Sequence, residues 1–347
     1  MGSPRVKRVQ GDRRSAARPA ASGSAVSSGR GQVIGIDLGG TKVAVGLVSR
    51  SGEVSVLDAV PTLAADGAEV VIERLAVLVR EAAGVARNLA RDVVGVGLAT
   101  PGIVDSRAGT VRYATPALPG WTGLALGRRL AEAAGLAVVV HNDGHAAAVG
   151  ESAVGAAAGV PDAVVVVLGT GIGGGIIAGG RLVRGHLGGA GRIGHLSVDA
   201  GGRPCWCGAR GCIEQYASGS AVAREAQAAV DRGAPTTLRA LSGPVSAADV
   251  VQAARGGDAL AVGLLSEAGR FLGAALVSLV NLVSPQVVVV GGGLADAGAL
   301  LLDAADAVLS ERLPPAIRTS VEVRLSSLGH RAAVAGAGLL AWGRLVE

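Results

Sequence analysis

His195 is followed by Cys205, Cys207 and Cys212, and these are the three cysteines of a 347-residue chain. One imidazole and three thiolates satisfy the tetrahedral preference of a structural zinc and leave no coordination position open for chemistry. Zn²⁺ held by His195, Cys205, Cys207 and Cys212 is therefore expected to shape a loop. A disulfide would strand an odd thiol, and three unrelated cysteines would not be crowded into eight glycine-rich residues.

Two further segments could do chemistry. Leu38 to Thr41 and Gly169 to Gly173 are glycine turns carrying a threonine, each set between apolar runs. Lacking Cβ atoms, such turns approach an anion closely and offer it several backbone N–H groups, with the hydroxyl as one more donor. One turn alone reads as an ordinary hairpin, whereas two matched turns about 130 residues apart favour phosphate. Neither is a Walker A loop, because Lys7 and Lys42 are the only lysines and neither has the required glycine spacing. Asn142-Asp143 closes an apolar run before a stretch of small residues. That position suits either a helix N-cap or a carboxylate aimed into a cleft as a general base.

The elements that must hold these groups are legible around them. Val33 to Asp37 and Val43 to Val48 read as strands about the first turn, and Ala163 to Leu168 and Gly174 to Ala178 as strands about the second. Between them helices are expected at Ala68 to Ala90 and Thr122 to Ala134, strands at Val93 to Ala99 and Val138 to Val140, and a helix from about Gly144. The plan is α/β with a mixed sheet in each of two like-built lobes facing a cleft.

Composition agrees: apolar residues make up 50%, aromatics 2%, and there are 56 glycines, which suits a sheet- and loop-rich body and excludes aromatic nucleic-acid platforms. Mean hydropathy is positive, but the long uncharged stretch Phe271 to Ala295 is broken by Asn281, Pro285 and Gly291 to Gly293. It reads as a buried helix ending before Pro285 and a buried strand Val287 to Val290, not a membrane span. Residues 1–31 carry seven cations against Asp12, a charge of +6 that leaves −1 of the total +5 to the rest. This segment is expected to be a disordered basic tail, with no apolar helical period for a DNA-recognition helix and no signal-peptide core. Reduced cysteines point to the cytoplasm.

Taken in order, Ile36-Asp37-Leu38-Gly39-Gly40-Thr41-Lys42, Pro101-Gly102-Ile103-Val104-Asp105, Leu118-Pro119-Gly120-Trp121, Asn142-Asp143, Gly169 to Gly175, Ile193-Gly194-His195 and Cys205-Trp206-Cys207-Gly208-Ala209-Arg210-Gly211-Cys212-Ile213-Glu214 resemble the ROK family of sugar kinases and repressors over about residues 32–345. The resemblance implies the actin-like, ribonuclease H-like duplicated ATPase fold. It also implies an N-terminal lobe of 32–141 joined by the last helix, 332–347, and a C-terminal lobe of 142–331 bearing the zinc loop. It further implies an ATP-dependent, glucokinase-like hexose kinase with Asp143 as base, and Asp37 organising Mg²⁺ and the phosphates. Gly39, Gly40, Thr41, Lys42, Gly169, Thr170, Gly171, Gly173 and Gly292 then fall on the nucleotide side. Gly102, Asn142, Asp143, His195 and Glu214 fall on the sugar.

Three positions depart from the family pattern: Arg192 stands where Glu is usual, His145 where Asn is usual, and Ala117 where Asn precedes Leu-Pro-Gly-Trp. The identity of the sugar rests on these. An N-acetylhexosamine kinase, a sugar-binding relative with weakened catalysis and a repressor are the alternative readings, and a homodimer or homotetramer is expected by resemblance alone. His141, His186 and His330 are expected to be structural or surface residues.

Overall fold

The computed structural model describes residues 30–114 and 118–345. The basic segment, apart from its last two residues, lies outside them, as does Ala117.

The first sheet has the order β3-β2-β1-β4-β7. Its strands are β1 (Gly31–Leu38), β2 (Lys42–Val48), β3 (Val54–Pro61), β4 (Asp92–Thr100) and β7 (Val138–Asn142). β1, β2 and β3 pair antiparallel, while β1, β4 and β7 run parallel. The second sheet repeats the plan with β8 (Ala163–Leu168), β9 (Ile172–Ala178), β10 (Arg181–Leu182), β11 (Val287–Gly291) and β12 (Glu322–Leu325), in the order β10-β9-β8-β11-β12. Here β8 pairs antiparallel with β9 and parallel with β11. A two-stranded ribbon, β5 (Ile103–Asp105) with β6 (Thr110–Tyr113), projects from the first sheet. The β1–turn–β2 and β8–turn–β9 units are thus the duplicated element legible in the sequence.

Helices α1 (Ala68–Asn88) and α2 (Leu126–Ala134) cover the first sheet. The second sheet is flanked by α3 (Asp143–Val154) on one face. On the other are α4 (Glu214–Ala217), α5 (Gly219–Asp231), α6 (Ala247–Arg255), α7 (Ala259–Val283), α8 (Ala299–Arg312) and the short α9 (Pro315–Arg318). Each sheet has its own core. Ile34, Ile36, Leu75, Leu98 and Trp121 are buried in the first, and Val166, Leu265, Leu272, Leu276 and Val288 in the second. At about 1.5–3 kcal/mol for each large apolar side chain removed from water, these two clusters dominate the stability of the fold.

The last helix, α10 (Ala332–Leu345), packs on β1 and β4 and also on α3, so the two sheets are joined through a helix pair. That pair is made of small residues for a steric reason. A Cβ on Gly336 would lie 1.7 Å from the Ala146 carbonyl oxygen, and one on Gly150 would lie 2.2 Å from that of Ala332. Backbones can meet this closely only without side chains between them.

Two expectations shift. The helix expected from Thr122 begins at Leu126, because Gly123 sits at φ +81° inside a turn closed by Leu124 N–H on the Trp121 carbonyl. The helix expected within Phe271 to Ser284 starts twelve residues earlier, at Ala259, where the Asp258 carboxylate caps it by accepting from Ala261 N–H. Helix α7 is long and apolar enough to cross a membrane, yet Leu265, Leu272, Leu276 and Leu279 are buried in the core and it packs along α8.

Candidate active site

Both glycine turns open onto one cleft of about 650 Å³ between the sheets, within the range of small-molecule sites. Each is closed by its first glycine: Gly39 N–H donates to the Lys42 carbonyl and Gly169 N–H to that of Gly171, each at 2.9 Å. Asp37, Gly39, Gly40, Thr41, Gly169, Thr170, Gly171 and Gly173 all line the cleft. Packing does not demand glycine at Gly169 or Gly173, where an added Cβ would meet nothing nearer than 3.8 Å. Gly174 is glycine for packing, since a Cβ there would strike the Val165 carbonyl oxygen at 2.4 Å and Ile193 at 2.5 Å.

Two expected nucleotide-side residues stand apart from the lining. Lys42 is exposed at the start of β2, and its charge acts on Asp37. Gly292 follows β11 at φ +87° and packs on the Leu168 backbone, 2.5 Å from its carbonyl oxygen to a built Cβ. It shapes the strand that carries the second turn.

Asp37 lies near the end of β1. Burial, then repulsion from Asp143, raises its carboxyl from 3.8 to about 7, against the attraction of Lys42. Its carboxylate accepts no hydrogen bond within 3.5 Å among the described residues. A desolvated, unpartnered carboxylate beside a second one fits a divalent cation, which supplies the charge both lack.

Asn142 and Asp143 join β7 to α3: the first caps the helix and the second lines the cleft. Asn142 Oδ1 caps the helix by accepting from His145 N–H at 3.0 Å. Its amide donates to Gly102 O at 3.0 Å and to Asp143 Oδ1 at 2.8 Å. Gly102 itself takes φ +110°, and a Cβ there would fall 2.3 Å from the Tyr113 carbonyl oxygen. Asp143 Oδ1 also accepts from Gly144 N–H at 2.8 Å. Burial raises the Asp143 carboxyl, opposed by these hydrogen bonds and reinforced by Glu214.

Glu214 opens α4, with both oxygens engaged. Oε2 accepts from Ile172 N–H at 2.9 Å and Oε1 from the Trp206 indole N–H at 2.6 Å. A Cβ on Gly171 would lie 2.4 Å from Oε2, so this turn residue must be glycine for the carboxylate to reach the strand. Gly102, Asn142, Asp143, His195 and Glu214 all face the cleft.

His195, Cys205, Cys207 and Cys212 offer ligand atoms that lie within 4.8 Å of one another. Cys207 Sγ is 3.7 Å from Cys212 Sγ, and Cys205 Sγ is 3.8 Å from His195 Nδ1. With metal–sulfur bonds of about 2.3 Å, a tetrahedral zinc spaces its sulfurs about 3.8 Å apart, so the cluster fits such an ion. Crowding acts in the same sense: burial and the two neighbouring thiols push Cys212 up to about 12. Nδ1 turned to the sulfurs leaves Nε2 for the cleft.

Arg192, just before the His195 turn, lines the cleft and has no ion pair among the described residues. His145 does not line it. Its Nε2 lies 2.7 Å from the Ala190 carbonyl oxygen, and burial lowers its pKa, so the neutral ring donates there and secures the 188–191 loop. His141 is buried in β7, with burial first and then Arg184 pushing it down to about 3.

The residues that sequence reasoning missed are Trp206, the 188–191 loop, and Ser218, Ser220 and Arg224, all of which line the cleft. Only Trp206 carried a signal, as an aromatic in a chain with 2% of them. Ser218, Ser220 and Arg224 are brought in by the course of α4 and α5, and the 188–191 loop is held by His145.

Comparison with known proteins gives the same picture. The glucokinase of Halalkalibacterium halodurans is 34% identical over 312 residues, which cover 88% of this chain and 94% of that one. The glucokinase of Streptomyces coelicolor is 36% identical, with 90% and 98% covered. The crystal structure of a ROK family glucokinase from Streptomyces griseus, in complex with glucose and AMPPNP, superposes with a TM-score of 0.80 at 36% identity, covering 89% of this chain and 98% of that one. With the ROK family model matching residues 33–344, and with the two-lobed, actin-like architecture of these kinases, the chain belongs to the ROK family.

Proposed function

We infer that this protein is an ATP-dependent hexose kinase that phosphorylates glucose to glucose 6-phosphate. The observation that carries the reading is the placement of Asp143: a buried carboxylate with a raised pKa, in one cleft with two matched glycine turns.

The sugar binds at the end bounded by Gly102, Asn142, Asp143, His195 and Glu214, and the phosphates of ATP lie against Gly39 to Thr41 and Gly169 to Gly173. Asp143 accepts the proton of the attacking hydroxyl as that oxygen bonds to the terminal phosphorus and the bond from phosphorus to ADP breaks. Its raised pKa brings the base nearer to the hydroxyl it must deprotonate, and Asn142 and Gly144 hold its orientation. Asp37 is the carboxylate that would hold Mg²⁺, whose charge would offset that of the phosphates. Zn²⁺ bound by His195, Cys205, Cys207 and Cys212 would fix the loop that presents Glu214 and orients the His195 ring.

The proposal extends to a lobe division of 32–141 with the last helix against 142–331, to cytoplasmic residence, supported by the unpaired cysteines, and to assembly as a dimer or tetramer. A coupled ADP-release assay with Mg·ATP across glucose, mannose, N-acetylglucosamine, N-acetylmannosamine, fructose and allose tests the activity. Turnover best with glucose is expected, and a preference for an N-acetylated sugar would overturn the substrate.

A further inference from the structure

Trp206 has no part in the scheme above, yet it contacts three of its components. It sits between Cys205 and Cys207, so its backbone belongs to the zinc loop. Its indole N–H donates to Glu214 Oε1 at 2.6 Å. The ring meets His195 edge-on, with centroids 5.0 Å apart, and lies nearly parallel to Tyr113 at 6.3 Å and 12°. Tyr113 ends β6 and therefore belongs to the opposite lobe. Its carbonyl is the group that Gly102 passes without a side chain, and Gly102 accepts from Asn142 beside Asp143.

A carboxylate oxygen has two acceptor sites. Ile172 N–H and the Trp206 indole each take one site on different oxygens of Glu214, leaving one on each for a sugar hydroxyl. Held from two sides, the group is a fixed fork, and the rotamer freedom it would otherwise lose on binding is already gone. Tyr113 is partly exposed at 42%, so the ring pair lies towards the mouth of the cleft.

We propose that Trp206 is a positioning residue for sugar recognition: its N–H fixes Glu214 as a two-hydroxyl acceptor, and its stack on Tyr113 joins the two lobes at the sugar end of the cleft. The proposal rests on the reading of Glu214 as a sugar ligand.

The test is steady-state kinetics with glucose and its monodeoxy analogues, on zinc-quantified wild type, Trp206→Phe, Tyr113→Ala and Glu214→Gln. Trp206→Phe keeps the stacking ring and loses the donor. It raises KM for glucose about tenfold or more, leaves KM for ATP unchanged, and shrinks the penalty for deleting the hydroxyls that Glu214 accepts. A merely structural residue would not change that pattern. Tyr113→Ala raises KM for glucose a few-fold and spares the deoxy pattern. Trp121 and Trp342 are buried elsewhere, so glucose also changes the fluorescence that Trp206→Phe removes. If Glu214→Gln raises KM while zinc-replete Trp206→Phe matches wild type, this inference falls and the kinase reading stands. Should Trp206→Phe fail to retain zinc, Tyr113→Ala decides, with a wild-type KM overturning the proposal. Wild-type sugar affinity in Glu214→Gln removes the sugar-ligand reading and this inference with it.

Discussion

Replacing Asp37 by Asn separates the cost of the active site from its use. The carboxyl rises from 3.8 to about 7 on folding, so between these values the native state binds a proton that the unfolded chain has released. Stability must then fall as pH rises through this window, because the slope follows the difference in bound protons. At about 1.4 kcal/mol per pH unit the full rise corresponds to about 4 kcal/mol above pH 7, and partial solvent access at the cleft wall brings this to about 2–4 kcal/mol. Asn removes the charge and little else, since the carboxylate has no hydrogen-bond donor to lose. Nucleotide-free Asp37→Asn is therefore expected to match wild type near pH 4 and to exceed it by about 2–4 kcal/mol at pH 8, while losing activity. Denaturant titrations at the two pH values, with slopes compared, measure this directly. Mg²⁺ with a non-hydrolysable ATP analogue should stabilise wild type more than the variant. A variant no more stable than wild type at pH 8 would refute the reasoning, because the carboxylate would then not be an uncompensated buried charge.

Other expectations follow from the same geometry. Cys207→Ser should lose bound zinc and folded yield together, read by metal analysis and circular dichroism; full stability without metal would contradict a structural ion. Arg192→Glu puts an acceptor where a cation now faces the cleft, and should lower KM for glucose about tenfold, since an unpaired hydroxyl costs about 1–3 kcal/mol; an unchanged KM would place Arg192 outside sugar recognition. The pH profile of kcat/KM should rise through an apparent pKa above the ordinary carboxylate range, reflecting Asp37 and Asp143 as an interacting pair. A profile already flat at pH 5 would exclude a base with a raised pKa.

The duplicated plan was legible because β1 and β8 are apolar on both faces and each ends in a glycine turn, a pattern that survives without tertiary information. Strands β3 and β12 left no comparable signal. Val54–Pro61 mixes Asp58 and Ser55 into an edge strand, and Glu322–Leu325 is a four-residue edge, so neither shows a clean apolar run. Among site residues, those bound to short motifs were found, including both oxygen-bearing side chains of Asn142-Asp143. Lys42 belongs to the motif, yet it is exposed at the start of β2 and is not among the residues that line the cleft. His145 shows another limit, since a polar residue beside the base turns instead to a loop carbonyl. The partners of Glu214 were hidden because Ile172 in β9 and Trp206 in the cysteine loop meet it only in the folded chain.

The most direct test of the central claim is ADP release with glucose and Mg·ATP, comparing wild type with Asp143→Asn at equal zinc content. The account predicts glucose-dependent turnover that falls at least about 100-fold in the variant, the contribution of a positioned general base, with glucose still bound. Variant turnover within a few-fold of wild type would contradict the assignment of Asp143, and a folded, zinc-loaded wild type silent with every hexose would contradict the kinase itself.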